Sequence, residues 1–309
     1  MSTHRNRISL PIVIIFGLIS VSTASIFIRL AQEEAPSIVI AALRLLIATV
    51  LIAPITLKLY FKDIISLSRK DYLLVITSGF FLALHFSSWI TSLEYTSIAN
   101  SVVFVSTGPI WVALFAPLVL REYIKKSTLI GIIAAIIGGI IITYGDTFVI
   151  SADFNFAQSP SHLSQRSLVG NFLALTGAIS VSGYLIIGRI LRARISLLPY
   201  IFLVYGSASI FLSLFMVFSG NSPFGYSTIT YTWIFLLALV PQVIGHSIYN
   251  WALKILPATL VAVLTLGEPI GTTILAILIL HEYPGILTFF GMFLILAGIF
   301  FVSIATKIE

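Results

Sequence analysis

Charged side chains are missing from long stretches of this sequence, and the lengths of those stretches predict the architecture. No Asp, Glu, Lys or Arg occurs from Ile8 to Ile28, Tyr72 to Leu93, Tyr95 to Leu120, Ser127 to Gly145 or Ser167 to Gly188, nor from Ile195 to Leu253. A helix of about 20 residues crosses the hydrocarbon core of a bilayer, so each shorter run predicts one membrane span and the last must fold back as two. Two further spans, near Ile38–Leu57 and Ala258–Leu280, each carry one internal charge, and a final span covers Gly285–Ala305. The expectation is an all-α integral membrane protein of about ten spans, numbered first to tenth below. The first run imitates a cleaved leader, with Arg5 and Arg7 ahead of it and the small-residue stretch Ser22-Thr23-Ala24-Ser25 inside it. It continues past that stretch to Ile28, however, and its Ile19-Ser20-Val21-Ser22 recurs as Ile179-Ser180-Val181-Ser182, so a retained span is expected.

Composition agrees: 59% of residues are hydrophobic, 9% are charged and the mean hydropathy is +1.10. The few charges supply an orientation, because loops rich in Lys and Arg stay cytoplasmic. Fourteen of the seventeen basic residues fall on the side that holds both termini. The opposite side has Arg29 and Arg166, and Arg44 lies inside the second span. Both termini are therefore expected in the cytoplasm, in a multi-pass protein of the cell membrane. The net charge of +6 arises in these short loops, which makes an orientation signal a better reading than a nucleic-acid partner. The chain has no cysteine, which excludes disulfides and thiol chemistry.

Sliding the sequence on itself by 160 residues brings out an internal repeat. Pro109-Ile110 falls on Pro269-Ile270, and Ala116, Leu118, Leu120, Glu122, Tyr123, Thr128, Gly131 and Gly138 meet identical residues at 276, 278, 280, 282, 283, 288, 291 and 298. Ser20, Ser22 and Arg29 fall on Ser180, Ser182 and Arg189 in the same register. The units are 1–145 and 167–309, joined by a polar external linker over 146–166. Five crossings per unit is an odd number, so the second copy is expected to enter the membrane from the opposite side.

These residues carry a family resemblance. The segments TGPIWVALFAPLVLREY…GIIAAIIGG and LGEPIGTTILAILILHEY…GMFLILAGI each place a Pro in the fourth helix of a five-helix half, a Glu before the fifth, and small residues in the last. The pattern, covering nearly the whole chain, resembles the EamA branch of the drug/metabolite transporter superfamily. That resemblance implies two inverted five-helix repeats around a central cavity, lined by the first, third, fourth, sixth, eighth and ninth helices. It also implies a small-molecule substrate drawn from amino acids, amines, drugs and other metabolites, often moved by export.

Inverted repeats are the architecture of alternating access, and polar residues should then converge at mid-depth. In the eighth span Gln242, His246, Tyr249 and Asn250 follow i, i+4, i+7, i+8 spacing, which predicts one stripe. The third span offers Ser78, His85, Trp89 and Ser92 on a similar face, and His85 and His246 stand one residue off the repeat register. In the ninth span Glu268 lies near the bilayer midplane, with Thr265 and Thr272 predicted beside it. An ionised carboxylate there costs about 2.5–3.5 kcal/mol on insertion scales. Glu268 is expected either to bind a cationic part of the substrate or to titrate with coupled protons; the alternative is a structural glutamate bonded to the backbone broken at Pro269. Arg44 is expected to snorkel to the near interface, its functional alternative being a counter-charge for a substrate carboxylate or for Glu268.

Pro109 and Pro269 are expected to free the carbonyls of Val105 and Thr265, which either bind ligand or mark kinks. The remaining lining candidates are Ser20 and Thr23; Asn100, Thr107 and Trp111; and Ser180, Gly183 and Tyr184. A lone Ser or Thr in a membrane helix more often bonds its own backbone. Of the two tryptophans, depth points to Trp111 over Trp89 as the cavity residue. Glu122 and Glu282 read as structural groups at helix boundaries, and Gly131, Ala135 and Gly139 as a packing stripe. No nucleophile elbow, metal-ligand spacing or phosphate-binding loop is present, so neither catalysis, a metal nor a cofactor is expected, and no segment looks like a channel filter. The chain reads as a secondary transporter, and as an exporter, of small neutral or zwitterionic metabolites such as amino acids, with protons as a candidate coupling ion; the alternative cargo is a lipophilic amine or drug.

Overall fold

The computed structural model describes residues 10–120, 148–150, 156–158, 165–265 and 267–306, with isolated positions between 126 and 141. Among them, eight helices are long and apolar enough to cross a membrane: Ile12–Ala31, Ser37–Ile65, Arg69–Tyr95, Ile98–Val119, Arg166–Arg192, Leu197–Phe218, Thr228–Ala252 and Ala258–Leu280. They correspond to the first four and the sixth to ninth expected spans. The tenth is the helix Ile286–Thr306. The fifth is represented only by scattered positions, including Gly131 and Gly138, which are helical; Ala135 and Gly139 of the expected packing stripe lie outside the described residues, as does Glu122. Within the linker, Phe148–Ile150 pairs antiparallel with Phe156–Gln158.

Local chemistry sets the helix ends. Ser68 and Asp71 form a reciprocal capping box at the start of the third span, the Ser68 hydroxyl accepting from the Asp71 amide at 3.2 Å and the carboxylate accepting from the Ser68 amide at 3.3 Å. Ser97 caps the fourth span by accepting from the Asn100 amide at 3.2 Å. The second span runs beyond the expected Leu57 to Ile65, past Lys58, Lys62 and Asp63, with its helical geometry interrupted at Tyr60 (φ −129°, ψ 16°). Once outside the hydrocarbon region, charged residues no longer penalise the helix.

The fourth span breaks between Val105 and Gly108, and the ninth between Leu264 and Gly267, close to one repeat apart. Each break closes by a short turn: the Ile110 amide donates to the Thr107 carbonyl and the Glu268 amide to the Thr265 carbonyl, both at 2.9 Å. The Thr265 carbonyl is thus occupied, contrary to the expectation that Pro269 leaves it free; the chain tightens its turn to satisfy it. The eighth span is π-helical over Ala238–His246, around Pro241, whose ring nitrogen cannot donate.

The packing repeats at the same interval of 160 residues. The third span crosses the sixth, the first crosses the eighth, and the second lies along the seventh. Gly17 sits against Ile248, where an added Cβ would stand 2.8 Å from Cγ2; Gly177 sits against Trp89 and Ser88. Arg29 donates to the Thr96 carbonyl at the end of the third span (3.1 Å), and Arg189 to the Leu253 carbonyl at the end of the eighth (2.6 Å). These cations satisfy carbonyls that a helix C-terminus leaves unpaired. The core between the helices buries Ile40, Leu45, Leu82, Phe86, Ile90 and Tyr205, while Leu46, Phe172, Leu278 and Phe293 are exposed on the outside, as a lipid-facing surface requires.

Loops assigned to a common side by charge meet in space. Arg194 pairs with Asp71 at 2.6 Å. Opposite them, Glu34 accepts from the Ser227 amide at 2.8 Å and the Thr230 hydroxyl at 2.9 Å, and Arg166 donates to the Glu94 carbonyl at 3.1 Å.

Candidate functional site

The helix breaks of the fourth and ninth spans and the crossing of the third and sixth enclose a central cavity of about 60 Å³. The third span contributes His85 and Trp89 and the fourth Val105, Ser106, Gly108 and Pro109. The sixth supplies Val181, Tyr184 and Leu185, the eighth His246 and Tyr249, and the ninth Ala262, Thr265 and Glu268. Five of the six helices expected around it therefore contribute, the first being absent. This volume holds a few waters at most. Among the described residues, Glu268 is the one Asp, Glu, Lys or Arg in the wall. It stands at the repeat position of Gly108, so one half brings a carboxylate where the other leaves space.

The wall is largely aromatic. His85 stacks on Trp89 with centroids 5.7 Å apart and planes 16° apart, and His246 meets Tyr249 edge-on at 6.4 Å. His85 is held by its Nδ1, 2.9 Å from the Gly177 carbonyl. Gly177 lies in the crossing of the third and sixth spans, where an added Cβ would stand 3.2 Å from Trp89 Cβ and 3.4 Å from the His85 carbonyl. On the repeat register His85 corresponds to Gly245, not to His246. The Trp89 indole N–H and the Tyr249 hydroxyl are buried with no hydrogen-bond partner, and the Glu268 carboxylate has none among the described residues. Three polar groups in the wall of a small cavity are thus left for water or a ligand to satisfy.

Several expected lining residues lie elsewhere. The eighth-span stripe is split: His246 and Tyr249 face the cavity, whereas Gln242 accepts from Arg44 Nε at 2.9 Å. Asn250 joins two tyrosines, accepting from the Tyr184 hydroxyl at 2.6 Å and donating to the Tyr205 hydroxyl at 3.1 Å. The π-helical segment shifts the register that a regular helix would keep. Trp111 stacks on Phe115 at 6.1 Å and donates to the Thr107 hydroxyl at 3.2 Å; it is Trp89, not Trp111, that lines the cavity. Thr23 bonds the Ser20 carbonyl (2.7 Å), Ser180 the Thr176 carbonyl (2.8 Å) and Thr107 the Phe104 carbonyl (2.7 Å), as hydroxyls in apolar helices commonly do. Asn100 is buried in the first turn of the fourth span, away from the wall, and Gly183 packs on the Phe81 ring. Thr272 donates to the Ser22 carbonyl of the first span at 3.1 Å instead of facing the cavity beside Thr265. Pro269 is buried outside the wall, whereas Pro109 belongs to it.

Arg44 does not snorkel. Its side chain is fully buried, with Cζ 4.0 Å from the Phe86 ring centre, and among the described residues it forms no ion pair with Glu268. The Gln242 bond and the Phe86 face hold the guanidinium inside the bundle. Glu282, expected at a helix boundary, caps a neighbouring helix by accepting from the Ile98 amide at 3.1 Å, and lies 3.5 Å from Arg29. Sequence reasoning missed Phe86, Tyr205 and Arg192, which look like ordinary core or loop residues. Arg192 is buried with its guanidinium on the Asn250 carbonyl (2.9 Å) and the Ile195 carbonyl.

Comparison with known proteins agrees with this architecture. The profile of the EamA-like transporter family matches residues 9–144 and 168–304. An uncharacterized transporter of Bacillus subtilis (strain 168), YetK, is 26% identical over 283 residues, covering 90% of this chain and 82% of its own length. One of Clostridium kluyveri is 27% identical over 212 residues, 67% of this chain and 64% of its own. A solved crystal structure at 16% identity superposes with a TM-score of 0.67 over 97% of this chain and 98% of its own, which establishes a shared fold.

Proposed function

The chain belongs to the EamA-like transporter family and is a membrane transporter, not an enzyme; on that premise we propose that it is a gradient-driven carrier working by alternating access. In this reading residues 1–145 and 167–309 are two modules of opposite polarity in the cell membrane, with 146–166 outside and both termini in the cytoplasm. The central cavity is the substrate site, and its cargo is a small neutral or zwitterionic metabolite such as an amino acid, moved outward.

The observation that carries this reading is Glu268: a carboxylate without a bonded partner among the described residues, in the wall of a cavity to which both halves contribute. A group that costs several kcal/mol in a membrane interior is retained when transport uses it. A cavity of about 60 Å³ is narrow for a metabolite, and rocking of one half against the other would widen it by separating the lining spans. The repeated glycine crossings and the Arg29 and Arg189 caps support matching hinge geometry at both ends. Glu268 would hold the ammonium group of the cargo or a coupled proton.

Counterflow in proteoliposomes tests the reading. Trans-acceleration of labelled amino acid by internal unlabelled amino acid is expected, and Glu268→Gln should lower the rate tenfold or more and flatten its pH profile. Uptake without trans-acceleration would mark a channel; an unaltered rate and profile in the variant would remove Glu268 from the mechanism.

A further inference from the structure

Arg44 is a buried cation whose hydrogen bonding is incomplete among the described residues. Its side chain is 0% exposed, Nε donates to Gln242, and both Nη1 and Nη2 are buried without a hydrogen-bond partner. Other arginines among the helices end on acceptors: Arg192 on two backbone carbonyls, Arg29 and Arg189 on helix C-termini. A buried guanidinium with two unpaired nitrogens is costly, and its fork of N–H donors matches the paired oxygens of a carboxylate or a phosphate, of which the carboxylate is the group carried by the zwitterionic cargo proposed above.

The position of Arg44 points to where that partner would come from. The Phe86 ring lies 4.0 Å from Arg44 Cζ. The same ring neighbours three residues of the cavity wall, with centroids 4.8 Å from His85, 5.4 Å from His246 and 6.3 Å from Trp89. Phe86 is thus the shared neighbour of the cation and the cavity. It is therefore the side chain that separates the guanidinium from the cavity wall.

We infer that Arg44 is a carboxylate-binding subsite of the transport cavity, covered by Phe86 in this conformation and uncovered when cargo enters. The inference rests on the carrier reading above and adds to it the far end of the cargo: Glu268 takes the ammonium group and Arg44 the carboxylate, so the substrate class is a zwitterion and not a simple amine. Gln242 holds Nε and so presents the Nη pair. The aromatic wall between the two charges accommodates an apolar side chain.

Matched probes separate the two ends. L-Alanine, L-leucine, L-phenylalanine and L-tryptophan are compared with their decarboxylated amines and their deaminated acids, by ligand-induced thermal stabilisation of the purified full-length protein and by counterflow. At least one zwitterion is expected to bind wild type more tightly than its amine. Arg44→Gln should weaken that zwitterion on the order of ten- to a hundredfold while leaving the amine unchanged. Arg44→Lys keeps the positive charge but loses the fork, and should show the same selective loss. If no zwitterion outbinds its amine, or if the preference survives both Arg44 variants while exchange persists, Arg44 is a packing cation joining the second and eighth spans and the carrier reading stands without it. If none of the twelve probes shows trans-acceleration, the carrier reading itself falls and takes this subsite with it.

Discussion

Replacing Gly245 with alanine should disturb the crossing of the first and eighth spans, whereas the corresponding change at Gly177, in the crossing of the third and sixth, should be tolerated. An added Cβ at Gly245 would stand 2.6 Å from Val21 Cγ1, 3.2 Å from the Val21 amide nitrogen and 3.3 Å from the Gly17 carbonyl. Val21 is buried and β-branched, so it has few rotamers to escape into, and the two backbone atoms cannot move without the helices parting by several tenths of an ångström. Overpacking of this kind costs about 1–3 kcal/mol, offset by roughly 1 kcal/mol of helix propensity gained on replacing glycine. At Gly177 the nearest atoms are Trp89 Cβ at 3.2 Å and the His85 carbonyl at 3.4 Å, so the same gain is opposed by much less strain. Stability measured by reversible unfolding in mixed detergent micelles should therefore rank Gly177→Ala at or above wild type and Gly245→Ala below it, by up to about 2 kcal/mol. Val21→Ala should rescue Gly245→Ala, because it removes the shortest contact. The reasoning fails if Gly177→Ala proves the more damaging of the two, or if Val21→Ala gives no rescue.

Two more outcomes follow from particular contacts. Tyr184→Phe leaves the buried Asn250 Oδ1 without its 2.6 Å donor, and a Tyr184→Phe/Asn250→Ala double-mutant cycle should return a coupling of about 0.6 kcal/mol, the average for hydrogen bonds between membrane helices, and at most about 1.7 kcal/mol; a coupling near zero would mean the bond is geometric only. At the loop end of the bundle, the Ser227 amide, then the Ser227 and Thr230 side chains, hold the Glu34 carboxyl below its usual value of 4.5. A depressed carboxylate contributes stability above its unfolded value and loses it as pH falls through the folded one, so wild type should lose thermal stability below about pH 4.5 by a margin that Glu34→Gln abolishes, and parallel acid profiles of the two would refute the contact's role.

Much of the architecture was legible because the bilayer imposes a coarse rule: a charge-free run long enough to cross it becomes a helix. The 160-residue register was equally visible, and it placed the helix breaks beside Pro109 and Pro269 within a residue or two. The cavity was legible only in part. His85, His246, Tyr249 and Glu268, singled out by depth and spacing, stand in the cavity wall. Gln242 lies off the predicted stripe because a helical wheel assumes 3.6 residues per turn, and the segment around Pro241 does not keep it, while Asn250 turns to Tyr184 and Tyr205, contacts that no spacing reveals. Arg44 was read as snorkelling because a sequence shows how far a side chain can reach and not what it meets; Phe86 and Gln242 come from spans 40 and nearly 200 residues away. Phe86 itself carried no signal, being one of 23 phenylalanines.

The tightness of the central cavity bears on how ligands for this protein should be sought. A cavity this narrow would favour small fragments over full-sized cargo in a rigid docking search. Compounds that bind should instead be those able to wedge the aromatic wall apart, so a screen reading trapped intermediate conformations, for instance by cross-linking pairs placed across the third and sixth helices, would find inhibitors that a search of the closed shape discards.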